Sequence, residues 1–143
     1  MNDQIRHDIV CYRMEAAKSF IPEIESHIKN GFFNTAMNRM YYACFSAASA
    51  LLIHCHVDGA KTHEGVRHLF CKHFIADKTF GKQWSKFYTD VYNCRAAADY
   101  EDFTYYHEED CMEMFPPTRE FVNMIANYIE QHPDVSLSEE ADA

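Results

Sequence analysis

Late in the chain, polar side chains that could take part in ligand binding or ion pairing recur at steps of four, three and four residues: Tyr88, Tyr92, Arg95 and Asp99. Such steps place residues on one face of an α-helix. A guanidinium among phenol rings can bind a phosphate or stack on bases, and Lys82 and Lys86 add positive charge nearby. The spacing also fits an ion pair between Arg95 and Asp99 beside the core, with the tyrosine hydroxyls reaching water. Both interpretations remain open at this point.

Nine histidines raise the question of a metal site. The visible groups are His54-Cys55-His56 and the spaced set His63, His68 and His73. Steps of two and five residues separate side chains around a helix, whereas a helical metal pair needs steps of three or four. No metal is therefore expected. The four glycines stand apart, so neither a nucleophile elbow nor a phosphate-binding glycine loop is present, and no cofactor is expected.

The net charge of −9 is unevenly distributed along the chain. Residues 60–95 carry 7 basic and 3 acidic groups, whereas residues 96–143 carry 1 and 13. An anionic protein repels nucleic acid in general, because non-specific affinity comes mostly from phosphate neutralisation. Any RNA contact should therefore be local and lie in residues 60–95, and no contact with DNA is expected.

The composition favours a few long helices that position these residues. Glycine and proline number only 4 each, too few for the tight turns of an all-β domain, and 48% of the residues are hydrophobic. The sequence predicts one all-α domain, an antiparallel bundle of about five helices over residues 1–132, followed by an acidic disordered tail over residues 133–143.

Apolar residues at steps of three and four predict the individual helices. The first runs from Ile5 to Ile28 with a kink or break near residues 18–22, where Pro22 removes a donor. The others are predicted from Phe33 to Cys55, from an N-cap at Thr62 to about Ile75, from Phe80 to Ala98, and from Pro116-Pro117 to Pro133, with a loop or frayed helical turn over residues 100–110.

Several features favour a reduced, cytoplasmic protein. The six cysteines form no CxxC pair and mostly lie among apolar residues, which indicates free thiols packed as small hydrophobes. The first residues lack the apolar segment of a secretory signal. The longest weakly polar run, Tyr41 to Ile53, has about 13 residues, fewer than a membrane span needs. No membrane association is expected.

Three segments together resemble a known family. They are Asn38-Arg39-Met40-Tyr41-Tyr42-Ala43, Lys61-Thr62-His63-Glu64-Gly65-Val66 and Arg95-Ala96-Ala97-Ala98-Asp99-Tyr100. Their order and spacing are similar to the YYA-type branch of the HEPN-domain family, over roughly residues 5–130. The resemblance implies a bundle of about five helices, a homodimer, and a minimal nucleotidyltransferase as partner. It marks Arg39, Tyr41, Tyr42, His63 and Gly65 as motif positions, to which we assign structural roles.

The resemblance also bears on function. Many family members are implied to be metal-independent ribonucleases that use an arginine, four to six further residues and then a histidine. Arg95 matches the arginine, but Tyr100 stands after four intervening residues and His107 after eleven. An arginine without the histidine can bind phosphate but supplies no acid–base group.

Three hypotheses follow from these residues. The first is a toxin–antitoxin component that presents Arg95, Asp99 and Tyr100 in a groove for RNA or nucleotide, with Tyr100 or Tyr105 as candidates for nucleotidylation. The second is an active endoribonuclease in which His107 folds back towards Arg95. The third is an interaction protein without ligand chemistry.

Two expectations concern the second helix. Adjacent residues on a helix point about 100° apart, so one of Tyr41 and Tyr42 should pack between helices while the other reaches the groove or a dimer seam. The apolar surface of this helix, with Ala43, Ala47 and Ala50, exceeds what one small bundle can cover, which predicts a homodimer.

Overall fold

The computed structural model describes residues 1–100 and 105–133, without the side chains of residues 96–100, and in this part the chain folds into helices joined by short loops. Five α-helices are present there, and a π-helical turn, Cys71–Ile75, continues the third. They are α1 (Asp3–Lys29), α2 (Phe33–His54), α3 (His63–Phe70), α4 (Gln83–Tyr100) and α5 (Glu108–Gln131). The predicted all-α class is confirmed. The proposed tail, apart from Pro133, lies outside the described residues.

The central helix is α2, which contacts each of the other four α-helices. Its small residues Ala43, Ala47 and Ala50 are fully buried, and small side chains let neighbouring helices approach closely. The apolar surface that the sequence assigned to a dimer partner is therefore covered by the chain's own helices. This argument for a homodimer is wrong, and the homodimer stays a prediction from the resemblance.

The first helix is continuous through Pro22, so the predicted break near residues 18–22 does not occur. Proline costs the helix one backbone donor and crowds the preceding turn. Pro22 itself is exposed, whereas Ala17 and Ile24 are fully buried on either side of it. Burial of the apolar face on both sides of the proline outweighs the missing hydrogen bond.

The end of α1 is set by Gly31, whose φ of +81° suits a residue without a Cβ atom. The Gly31 N–H donates to the carbonyl of Ile28 at 3.1 Å, and the Phe32 N–H donates to that of His27 at 2.8 Å. This pair of bonds is the Schellman motif, which terminates helices.

The last helix begins at Glu108, eight residues before the predicted start at Pro116, so residues 108–110 are helical and do not belong to the predicted loop or frayed turn. Its first turn is stabilised by Asp110, whose Oδ2 accepts from the His107 backbone N–H at 2.8 Å. Prolines in a helix leave two earlier carbonyls without intrahelical donors. These belong to Met112 and Glu113, both exposed, where water can bind them.

Aromatic side chains from α3, α4 and α5 form a large part of the core. The ring of Phe121 lies within 6 Å of four other aromatic rings: Phe70, Trp84, Phe87 and Tyr88. Tyr88 is fully buried among them, so it cannot contact an external ligand as the sequence predicted. Its position on α4 faces the centre of the bundle, where α3 and α5 cover it.

The structure has no disulfide bond between any of the six cysteines, all of which lie within its described part, and Cys44, Cys55 and Cys111 are buried. Among the described residues no group of three or more His, Cys, Asp or Glu side chains is arranged to hold a metal ion. None of the helices in this part of the chain combines the length and apolar character needed to cross a membrane.

The predicted N-cap of α3 is confirmed at Thr62, whose Oγ1 accepts from the Gly65 N–H at 2.9 Å. A Cβ atom on Gly65 would lie 3.1 Å from the same hydroxyl oxygen, which accounts for glycine at this position. The cap fixes where α3 begins and therefore fixes His63, the first residue of the helix.

Thr62→Ala should lower the free energy of unfolding by about 1 kcal/mol, because the Gly65 N–H loses its side-chain acceptor. Urea denaturation followed by circular dichroism measures this change. Thr35→Ala is the matched control, since Thr35 is exposed on α2 and its side chain makes none of the described hydrogen bonds. A loss of equal size in both variants would contradict the capping role.

Candidate functional site

Arg95 reaches from α4 to α2, where its guanidinium contacts two adjacent tyrosines. Its Nη2 donates to the Tyr42 hydroxyl at 3.1 Å. The guanidinium carbon lies 5.5 Å from the ring centroid of Tyr41 and 5.7 Å from that of Tyr42. Cation–π attraction operates at such distances, so both rings help to fix the orientation of the guanidinium.

Tyr41 connects this pair to α3. Its hydroxyl lies 2.6 Å from Nδ1 of His63, and its ring meets the edge of Tyr92 at a centroid distance of 5.6 Å. Tyr41 is fully buried whereas Tyr42 is partly exposed, so the expected difference between the two tyrosines is present in the structure. We call Arg95, Tyr41, Tyr42, His63 and Tyr92 the Arg95 cluster.

A second layer of contacts fastens α3 to α4 beside the cluster. The Tyr92 hydroxyl donates to Oε2 of Glu64 at 3.4 Å, and Glu64 also forms an ion pair with Arg67. The Arg67 guanidinium lies 5.2 Å from the Tyr92 ring centroid, and its Nη1 donates to Thr89 at 3.0 Å. Tyr92 is thus held from two sides.

The protonation states in the cluster follow from burial and from the nearby guanidinium. Burial raises the pKa of Tyr41, against the lowering effect of Arg95, so the phenol stays protonated at neutral pH. Burial and the positive charge of Arg95 both lower the pKa of His63. The imidazole is therefore neutral at neutral pH, and its bond to Tyr41 joins two uncharged groups.

The stability of the protein should decrease as the pH falls below about 6.5. The pKa values of His63 and His73 are both lowered, His73 chiefly by burial and by Lys72, with Asp77 opposing. Between the folded-state pKa and 6.5 the unfolded chain binds more protons than the folded protein, so the free energy of unfolding declines as the pH falls through that window. Above the window the contribution of these two histidines to stability is fully present.

Urea denaturation across this pH range tests the expectation. His63→Asn should reduce the slope of stability against pH, because one of the two contributing histidines is removed. His68→Asn is the control, since His68 is exposed and outside the cluster. An unchanged slope in His63→Asn would contradict the burial of a neutral imidazole.

The structure places the remaining residues predicted for the site in several locations. Lys86 binds Oδ2 of Asp90 at 2.7 Å, and Lys82 is exposed just before α4. Neither lysine is among the described contacts of the Arg95 cluster. The side chains of Asp99 and Tyr100 lie outside the described residues, so their roles stay predictions.

His107 precedes α5 and is exposed. Its described hydrogen bonds are backbone bonds at the start of that helix, and none of them involves Arg95. Tyr105 is 72% exposed. A catalytic role for His107 stays a prediction.

Motif residues outside the cluster have structural contacts. Arg39 joins α2 to α1 through Glu23, with Nε and Oε2 3.5 Å apart. The sequence predicts the same kind of structural role for His63, yet the structure also makes this imidazole a member of the Arg95 cluster through its bond to Tyr41. The sequence signal for His63 is its place directly after the N-cap, which fixes its position at the start of α3. That signal does not reveal which helix the imidazole ring contacts.

Comparison with known proteins places this fold in a family. The model of the HEPN domain matches residues 10–128. The chain belongs to the HEPN family. The three segments quoted from the sequence, which supply most of the Arg95 cluster, lie within the matched region, so the resemblance inferred from them is confirmed.

Relatives of this HEPN chain come from a bacterium and an archaeon. A "UPF0332 protein" of Thermotoga maritima is 28% identical, over 87% of this chain and 94% of its own length. Methanocaldococcus jannaschii has two relatives named "Putative toxin MJ0142" and "Putative toxin MJ0605". The first is 26% identical over 81% of this chain and 78% of its own length. The second is 30% identical over 70% of this chain and 73% of its own length.

Proposed function

We propose that this HEPN chain is the toxin-like component of a toxin–antitoxin pair and binds RNA or a nucleotide at the Arg95 cluster. The observation that carries the proposal is the guanidinium of Arg95, whose orientation is fixed by a hydrogen bond to Tyr42 and by the rings of Tyr41 and Tyr42. A planar guanidinium fixed in this way matches two oxygens of a phosphate. The names of the two archaeal relatives support the toxin-like role.

The proposal includes partners that the family resemblance implies. The chain forms a homodimer and pairs in the cytoplasm with a minimal nucleotidyltransferase, which transfers a nucleotide from a nucleoside triphosphate to the hydroxyl oxygen of Tyr105 or Tyr100 and releases pyrophosphate and the phenol proton. The high exposure of Tyr105 makes its hydroxyl accessible to such an enzyme. A nucleotidyltransferase gene beside this one, and a mass increase of one or more nucleotides after co-expression, would support this part. Light scattering at micromolar concentration tests the dimer.

A second candidate function is a metal-independent endoribonuclease. The observation that favours it is the neutral imidazole of His63 beside Tyr41 in the Arg95 cluster. Such an imidazole can accept the proton of a ribose 2′-hydroxyl, while Arg95 stabilises the charge that develops on the phosphoryl group. His107, the histidine named from the sequence, is the other candidate for this role.

Expression of the chain without its partner separates the candidates. Wild type should slow growth, and total RNA from the culture shows whether RNA is cleaved. His63→Asn should abolish cleavage if His63 is the base, and His107→Asn should do so if the sequence-based assignment is right. Intact RNA with slowed growth favours binding without cleavage. Normal growth, together with no binding of RNA or nucleotide by the purified protein, would overturn the proposal in favour of an interaction protein.

A further inference from the structure

A cavity of about 330 Å³ lies between α1, α2 and the start of α3, and Arg95 does not belong to its lining. Its polar lining consists of Arg13, Ser46, Ser49, Lys61, Thr62 and His63. Ligand pockets usually begin at about this size and combine apolar walls with a few converging polar groups. The cavity therefore has the size and the lining of a site for a small polar molecule.

Two cations line the cavity, and neither has a carboxylate within ion-pairing distance among the described residues. Arg13 and Lys61 are absent from the ion pairs found in this part of the chain, although the protein carries a net charge of −9. Arg13 instead donates through Nη1 to the hydroxyl of Ser49, which is only 5% exposed. A buried hydroxyl thus holds the guanidinium at the cavity wall.

The start of α3 adds a third positive element. Thr62 satisfies the N–H groups of Gly65 and Val66 through its hydroxyl and its carbonyl. None of the described hydrogen bonds uses the backbone N–H of His63 or Glu64. Orphan N–H groups and the helix dipole favour an anion at this end of a helix. The lining residues Lys61, Thr62 and His63 bring this helix end to the cavity.

Aromatic rings complete the wall. Tyr12 is 75% exposed although it belongs to the lining, and the Phe45 ring lies 4.4 Å from that of His63. A ring left exposed at a cavity mouth can cover the organic part of a ligand whose charged end lies deeper.

We propose that this cavity binds a small phosphate monoester, with the phosphate held by Arg13, Lys61 and the first turn of α3. The organic group of the ester contacts Tyr12 and Phe45. The site is separate from the Arg95 phosphate site and goes beyond the function proposed above. His63 lines the cavity and also bonds Tyr41, so the two sites share one side chain.

Calorimetric titration of the purified full chain tests the proposal, with inorganic phosphate, ribose 5-phosphate and adenosine 5′-monophosphate as probes and adenosine as the uncharged control. At least one phosphate ester should bind, and adenosine should bind at least tenfold more weakly. Tighter binding of ribose 5-phosphate would show that a sugar contacts the aromatic wall, and tighter binding of adenosine 5′-monophosphate would show that a base does.

Arg13→Ala and Lys61→Ala should each weaken the binding of that ester by about tenfold or more, because each removes a charge-assisted contact. Lys18→Ala, which removes an equal charge from an exposed position of α1 outside the cavity, should leave the affinity unchanged. Lys61 is itself exposed, so its variant remains a test even if Arg13→Ala fails to fold. The absence of binding by every probe, equal binding of adenosine, or equal weakening in all three variants would overturn the site.

Discussion

Tyr41→Ala is expected to lower the free energy of unfolding by about 3–5 kcal/mol, as truncation of a buried aromatic side chain does in other cores. The residue is fully buried, and its ring contacts those of Tyr42, Phe45, His63 and Tyr92. The cavity left behind would lie where α2, α3 and α4 meet, so few atoms could move in to fill it. Chemical denaturation measures the change in the free energy of unfolding directly when the m-value, the slope of that free energy against denaturant concentration, is held at the wild-type value.

The adjacent Tyr42 is the matched control for this prediction. Tyr42→Ala should cost only about 1–2 kcal/mol, since its ring is partly exposed and its main contact is with Arg95. Tyr41→Phe should cost about 1 kcal/mol, because the Nδ1 atom of His63 loses its partner while the ring packing remains. Equal, small losses in both alanine variants would show that Tyr41 does not anchor the bundle.

Arg95→Ala is expected to abolish most of the toxicity and of the RNA or nucleotide binding while the protein remains folded. The described contacts of the guanidinium are cation–π contacts with Tyr41 and Tyr42 and a hydrogen bond to Tyr42 at a partly buried position, and their loss should cost about 1–2 kcal/mol of folding free energy. Thermal melting and growth on expression, measured on the same variants, separate the two effects.

Two further variants sharpen this prediction. Arg95→Lys should restore little function, because an ammonium lacks the planar fork that binds two phosphate oxygens. Arg119→Ala removes an equal charge from an exposed arginine of α5, whose guanidinium lies over Phe115, and should keep wild-type function. If Arg95→Ala lost its folded state but lysine preserved both fold and function, Arg95 would be a structural residue.

The helices were predictable because apolar residues recur at steps of three and four wherever a helix packs on its neighbours. The start of α5 was not, since its first turns carry Glu108, Glu109 and Asp110 without an apolar period. That end is stabilised by a polar contact, Asp110 to the His107 backbone, and its prolines are tolerated because the affected carbonyls face solvent. The predicted break at Pro22 in α1 is wrong for a similar reason, because a helix tolerates a proline on its exposed side.

The candidate site was predictable only in part. Residue type and motif resemblance identified Arg95, but spacing along α4 also placed Tyr88 on the ligand-binding face. Periodicity shows on which side of a helix a residue lies, but it does not show which stretch of that side other helices cover. Tyr88 lies in the stretch of α4 that α3 and α5 cover. The contacts of Arg95 come from α2 and α3, over sequence separations that no local pattern encodes.

The central claim is that the Arg95 cluster binds RNA or nucleotide phosphate. Fluorescence anisotropy of a labelled single-stranded oligoribonucleotide, titrated with purified wild type, Arg95→Ala and Arg119→Ala at one fixed salt concentration, tests it most directly. We expect saturable binding by wild type and Arg119→Ala, and a loss of about tenfold or more in affinity in Arg95→Ala while its circular dichroism spectrum stays helical. Equal affinities of wild type and a folded Arg95→Ala would contradict it.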